Sequence, residues 1–177
     1  MKKVVINIAI IMIFIFTYLI QANFFVSFRI AGVMPNLFII LLLYIGIFMG
    51  RNFGIIYGAI FGILIDVFVG KHIGLTSAML ATIGIIANIF DRNFSKDSRI
   101  TIMAMVAITT AIYEIGIYIL SGVIFKINVE VISFIKILLI EIIYNLILTI
   151  ILYPMIRLTG YDVEEEFKGS KILTRYF

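Results

Sequence analysis

Long apolar runs, separated by short polar segments, make up most of the chain. The runs cover about 4–26, 36–50, 53–69, 73–90, 100–125 and 131–153. A helix needs roughly 20 apolar residues to cross the hydrocarbon core, and unpaired backbone groups are not tolerated in lipid. None of the runs alternates with the period of two that a barrel strand requires. The pattern predicts an all-α integral membrane protein, a compact bundle of six transmembrane helices formed by residues 1–158, with a polar tail over 159–177.

Composition supports the same class of protein. Hydrophobic residues make up 63% of the 177 residues and charged residues 14%, whereas soluble domains have roughly 45–50% and about 25%. Six crossings use nearly the whole chain, so no separate soluble enzyme domain is expected. The chain contains no cysteine, which excludes disulfides, thiolate metal sites and cysteine nucleophiles.

The positions of the cations predict an orientation. If the amino terminus is cytoplasmic, three cations lie in outer connections, namely Arg29, Lys71 and Lys126. Ten then lie on the cytoplasmic side, namely Lys2, Lys3, Arg51, Arg92, Lys96, Arg99, Arg157, Lys168, Lys171 and Arg175. Positive charge accumulates on the cytoplasmic side of membrane proteins. We therefore expect a multi-pass membrane protein with both termini in the cytoplasm and a tail that is solvated or docks a cytoplasmic partner.

Glycine recurs at every fourth position from Gly46 to Gly62. One helix over residues 36–69 would be about 51 Å long at 1.5 Å per residue, so the chain must turn, and Arg51-Asn52 is the polar pair available for that turn. Four residues advance a helix by about 400°, so these glycines follow one narrow groove. Small residues at this spacing let two helix backbones approach closely. Gly50, Gly54, Gly58 and Gly62 are thus candidates for a groove that holds either a helix of the same bundle or one from a partner.

Four ionisable residues fall within the apolar runs: Asp66, Glu114, Lys136 and Glu141. Each would be unfavourable by about 2.5 kcal/mol or more if it faced lipid, so we expect them to face the bundle interior or a water-filled cavity. Lys136 should pair with Asp66 or Glu114 on another helix. One interpretation of the four is a relay or a polar ligand cavity, and the other is a set of latches between helices.

The sequence does not predict an enzyme. No nucleophile with an oriented base can be assembled from these residues. The one histidine, His72, lies in a tight turn without metal-binding partners, so no metal or cofactor is expected. Pro35, Gly70 and Gly74 are the candidate turn residues.

One segment resembles a known family. Met34-Pro35-Asn36-Leu37, then the glycine series ending in Asp66, then Gly70-Lys71-His72-Ile73-Gly74-Leu75 is similar to the pattern of MreD, the bacterial rod shape-determining membrane protein. Length, six spans, the basic amino terminus and Glu114 are similar too. Asn36 is a departure, because the family commonly has aspartate after the proline, and this argues against a charge-dependent role at that helix start.

The resemblance implies a non-enzymatic component of the cell-elongation machinery. Its expected partners are an MreC-like single-span protein and, through it, MreB-like filaments and RodA-like and penicillin-binding synthases of peptidoglycan, within the lipid bilayer and without nucleic acid. The family fold is also similar to the membrane substrate-binding subunits of energy-coupling-factor transporters. This similarity supplies the alternative, a small-molecule binding or transport subunit with a cavity lined by Asp66, Glu114, Lys136 and Glu141.

Overall fold

The computed structural model describes residues 2–69, 73–126 and 130–169, with only the backbone of residue 125. This part of the chain forms six helices and no β-strand, which confirms the prediction of an all-helical protein. The helices are α1 (Lys2–Ser27), α2 (Leu37–Phe48), α3 (Arg51–Val69), α4 (Leu75–Asn93), α5 (Arg99–Phe125) and α6 (Val131–Lys168).

Five of the six helices are long and apolar enough to cross a membrane, and α2 is shorter. Its 12 residues extend about 18 Å at 1.5 Å per residue, less than a hydrocarbon core of about 30 Å. The second span was expected over 36–50, so the helix is shorter than predicted. Nine of the 12 residues are buried, and the other helices enclose them. A helix shielded from lipid in this way does not have to match the thickness of the bilayer.

Both described ends of the chain lie on the same side of the bundle. The Nζ atom of Lys2 lies 3.3 Å from a carboxylate oxygen of Glu166, and successive helices run antiparallel between short connections. We call this side the terminal face and the other side the opposite face. Exposed apolar side chains cover the outer surfaces of α1, α3 and α6, as lipid contact requires.

The connection between α2 and α3 differs from the prediction. Phe48 ends α2 and Met49 caps it; Gly50 follows with a φ of +99°, a conformation that favours glycine because it has no Cβ. Arg51 and Asn52, which we expected to form the turn, are the first two residues of α3. Gly50 therefore belongs to a turn and not to the groove on α3.

α6 continues past the boundary that was expected at residue 158. It runs for 38 residues, with Pro154 inside it, and ends at Lys168. Gly160 and Val163 are buried in this extension, and a methyl group on Gly160 would meet the ring of Phe48. Residues 159–169 are thus packed against the terminal face, although the division of the chain into a domain and a tail stays a prediction.

Candidate functional site

The glycines of α3 lie against the backbone of α4. A methyl group added to Gly54 would lie 2.8 Å from the Cα of Gly84, and one added to Gly58 would lie 2.6 Å from the carbonyl carbon of Leu80. One added to Gly62 would meet the backbone of Ser77. Such contacts leave no room for a Cβ, so α4 of the same bundle occupies the predicted groove. A partner's helix does not fit there.

The close contact between α3 and α4, which we call the seam, ends at Asp66, and this residue is almost fully buried. One carboxylate oxygen accepts a hydrogen bond from the Gly74 N–H at 2.8 Å and a longer one from Ser77 at 3.4 Å, and the other accepts from Thr76 at 3.3 Å. The first turn of a helix has unpaired N–H groups, and Asp66 pairs with those of α4. Gly74, with a φ of +98°, directs its N–H towards the carboxylate. The carboxylate therefore joins α3 to α4, as a latch would.

Hydrogen bonds from other helices also hold the amino-terminal end of α2. Asn36 donates its backbone N–H to the side-chain oxygen of Asn145 at 2.8 Å, and Leu37 donates to that of Gln21 at 3.1 Å. Gln21 lies in the π-helical turn of α1, residues Ile20–Phe24, and its amide donates back to Pro35. Gln21 and Asn145 thus allow α2 to begin inside the bundle without unpaired backbone donors. Sequence reasoning missed both residues, although Asn145 is the one amide in the last apolar run.

Glu114 and Glu141 meet in the interior. Glu114 comes from α5 and Glu141 from α6, and their carboxyl groups lie close enough to interact. Glu141 is 6% exposed, and its Oε1 atom has no hydrogen-bond partner among the described residues. The carboxylate of Asp66 accepts its hydrogen bonds from the start of α4.

These carboxyl groups line a cavity of about 810 Å³. It lies above the start of α2, where that short helix leaves space between α1, α3, α5 and α6. Most of its wall is aliphatic or aromatic, and the acidic side chains on the wall are those of Asp66, Glu114 and Glu141. The structure therefore brings together three of the four ionisable residues singled out in the sequence.

Lys136 is the exception, because it does not face the interior as predicted. Its side chain is exposed on α6, and among the described residues it forms no ion pair with Asp66 or Glu114. Lys136 is five residues from Glu141, so the two side chains leave the helix in different directions. With Glu141 facing the interior, Lys136 faces outwards.

A comparison with family models shows to which family the chain belongs. The family model described as rod shape-determining protein MreD matches residues 1–159. The chain belongs to the MreD family. This confirms the resemblance inferred from the sequence, and it identifies a membrane protein of rod shape determination. Neither a curated protein nor a solved structure matches the chain.

Two of the residues singled out in this MreD-family chain, Gly70 and His72, lie outside the described residues, as does Lys71. Pro35 is buried in the connection directly before α2 and lines the cavity. Gly74 lies at the start of α4. The described residues bring together no group of three side chains that could hold a metal ion.

An ion-pair network on the terminal face was not predicted. Lys96 lies 2.7 Å from Asp91 and 2.6 Å from Glu164, and Lys168 lies 2.8 Å from Asp91. Lys168 also donates to the carbonyl of Ile47 at the end of α2. The network fastens the extension of α6 to the ends of α2 and α4. The spacing of Glu164 and Lys168, four apart, was its signal in the sequence.

Asp97 lies beside this network, in the connection between α4 and α5. The hydroxyl of Tyr161 donates to its carboxylate, and the hydroxyl of Ser95 does so at 3.1 Å. These hydrogen bonds stabilise the charged form and hold the pKa of Asp97 below its usual range, Tyr161 having the larger effect.

Proposed function

We propose that this MreD-family chain is a non-enzymatic scaffold of the cell-elongation machinery that binds an MreC-like single-span membrane protein. Through that partner it would help to organise MreB-like filaments and the RodA-like and penicillin-binding synthases of peptidoglycan. The observation that carries the proposal is the family match over residues 1–159. The proposal places the chain in the bacterial cytoplasmic membrane, with the terminal face in the cytoplasm, which the distribution of cations favours.

The polar groups of the bundle support a structural role. Asp66 caps α4, Asn145 and Gln21 hold the start of α2, and the ion pairs of Lys96 and Lys168 fix the extension of α6. Each group contacts another helix of the same chain. Together they provide a rigid bundle, which a scaffold needs, and supply no nucleophile activated by a base.

The surface of α6 is our candidate for the partner's helix, because α4 already fills the glycine groove. An exposed apolar stripe follows this helix along Ile132, Ile135, Leu139, Ile143, Ile147 and Ile150. Lys136 is exposed next to the stripe, about 7.5 Å along the helix from its start at Val131. A cation is unfavourable against lipid, and a carboxylate on the partner's helix would pair with it.

Co-purification from the native host tests this proposal. A tagged wild-type chain should recover the single-span partner, and Lys136→Leu should lower that recovery by about tenfold, the equivalent of about 1.4 kcal/mol. Lys136→Arg is the matched control and should keep the partner, because it keeps the charge. Equal recovery in all three would overturn the assignment of the surface. No recovery with the wild-type chain would overturn the scaffold itself.

The cavity favours a second candidate, a small-molecule binding or transport subunit that would act as the substrate-binding subunits of energy-coupling-factor transporters do. Its volume of about 810 Å³ is within the range of small-molecule sites, roughly 300–1,000 Å³. A carrier of that kind should co-purify with a pair of ATPases. Recovery of the ATPases in place of the single-span protein would favour the carrier over the scaffold.

A further inference from the structure

The cavity on the opposite face combines an apolar wall with a small set of polar atoms. Phe38, Ile65, Ile117 and Phe134 are among the apolar side chains that line it. The acidic pair, Glu114 and Glu141, lies on the same wall. A site that is mostly apolar, with few convergent polar groups, is typical of those that bind small organic molecules.

Other groups of the chain already satisfy several of the polar atoms. Asp66 accepts three backbone N–H groups of α4, and Gln21 bonds to Pro35 and Leu37. Within the described part of the chain, two buried atoms on this wall have no partner, Oδ1 of Asn36 and Oε1 of Glu141. A buried polar atom without a hydrogen bond is destabilising. Glu141 is 94% buried and lines the cavity. Its free acceptor is itself covered, and a rotation of the side chain would bring it to a molecule held in the cavity.

The chemistry of these atoms restricts the ligand. The amide oxygen of Asn36 and the carboxyl oxygen of Glu141 are acceptors, so a ligand must supply N–H or O–H donors. Carboxyl groups favour a cation, and none of the described residues on the wall is a lysine, arginine or histidine that could hold an anion. A bare metal ion would need more ligands than the described residues bring together. The apolar wall favours hydrocarbon in the rest of the molecule.

We propose that the cavity binds a small amphiphilic organic cation, with its ammonium group on the carboxyl groups of Glu114 and Glu141 and its hydrocarbon part against the apolar wall. This site goes beyond the scaffold role and does not depend on the single-span partner. If the chain binds the single-span partner but no cation, only the proposed cation site is wrong. If it binds the cation but not the partner, only the proposed scaffold role is wrong.

The absence of cysteine from the sequence makes a sharp test possible. Ser121 lines the cavity, so a Ser121→Cys variant of the full chain places a single thiol there. Its rate of modification is measured with two methanethiosulfonates, a trimethylammonium-ethyl cation and a sulfonatoethyl anion. A Ser133→Cys variant is the reference, because Ser133 is exposed and lies outside the cavity. Ser133 has an acidic neighbour, Glu130, which also attracts the cationic reagent. A higher ratio at Ser121→Cys therefore cannot be explained by one nearby surface carboxylate.

We expect the ratio of cation to anion rates at Ser121→Cys to exceed the reference ratio by about tenfold, or about 1.4 kcal/mol. Glu141→Gln in the same background should return it to the reference value, and Glu114→Gln should do the same if the first variant fails to fold. Glu165→Gln is the matched control, since Glu165 is exposed on the α6 extension, and it should leave the ratio unchanged.

A competition assay completes the test and uses the Ser121→Cys variant alone. Phenethylammonium should slow its modification, whereas 3-phenylpropanoate at the same concentration should not. A rate ratio equal to the reference would overturn the proposal, as would equal effects of the two competitors. Either result would mean that the cavity holds water only.

Discussion

At the scale of single residues, glycine positions are the clearest link between sequence and packing. The four-residue spacing predicted a groove along Gly54, Gly58 and Gly62, and in the structure the backbone of α4 lies against these glycines. The occupant could not be predicted, because any helix backbone with small residues fits such a groove. Gly84 of α4 supplies the complementary surface, and a single glycine in an apolar run gives little signal of its own.

This packing predicts that Gly58→Ala is destabilising. The new methyl group would lie 2.6 Å from the carbonyl carbon of Leu80, and a backbone atom cannot move aside as a side chain can. We expect a loss of roughly 1–3 kcal/mol in the free energy of unfolding, measured by denaturant titration in detergent. Gly116→Ala is the matched control: its methyl group would meet the flexible end of Met79, so the loss should be smaller. Equal losses would contradict the account of the seam.

Asp97 provides a prediction about pH. Its pKa is lower in the folded protein than in the unfolded chain, chiefly through the hydrogen bond from Tyr161. The carboxyl group of Asp97 therefore takes up a proton less readily in the folded state. Its contribution to the stability of the folded state is present above the ordinary aspartate pKa of about 3.9 and is lost as pH falls below it. Thermal unfolding between about pH 3 and 6 should show this decline. Tyr161→Phe should make it shallower, and an unchanged slope would argue against the contribution of this hydrogen bond.

At the scale of helices, hydrophobic pattern predicted all six and located most of their ends. Its largest error is the end of α6, which was expected at about residue 153 and lies at Lys168, because polar residues do not by themselves end a helix. The amides that allow α2 to start inside the bundle, Gln21 and Asn145, come from other parts of the chain. The turn before α3 was misplaced for a related reason. A polar pair and a glycine of positive φ both break a span, and the glycine at position 50 forms this turn.

The junction of α3 and α4 carries the prediction at this scale. Asp66→Ala removes the acceptor for three backbone N–H groups, including that of Gly74, and should lower the free energy of unfolding by about 1–3 kcal/mol. Asp66→Asn should lose less, because an amide oxygen still accepts a hydrogen bond. Denaturant titration of the wild-type chain and of both variants measures these losses in the free energy of unfolding. A wild-type value for Asp66→Ala would show that the cap does not stabilise the bundle.

At the scale of the whole molecule, the family and fold class could be inferred from sequence because they depend on runs, spacing and a turn motif. The contacts that complete the molecule could not. Glu114 meets Glu141 across two helices, Lys136 faces outwards, and the α6 extension is fastened by Lys96 and Lys168. These arrangements depend on how helices rotate against one another, which a single sequence leaves undetermined.

We propose above that this bundle serves rod shape determination as a scaffold. Its most direct test is the length-to-width ratio of cells of the native host after depletion of the chain, with variants supplied in its place. We predict that depleted cells become round, that wild-type chain and Glu141→Gln restore rods, and that Gly58→Leu does not, because its side chain cannot fit between α3 and α4. Rods that persist after depletion, or that Gly58→Leu restores fully, would contradict the account.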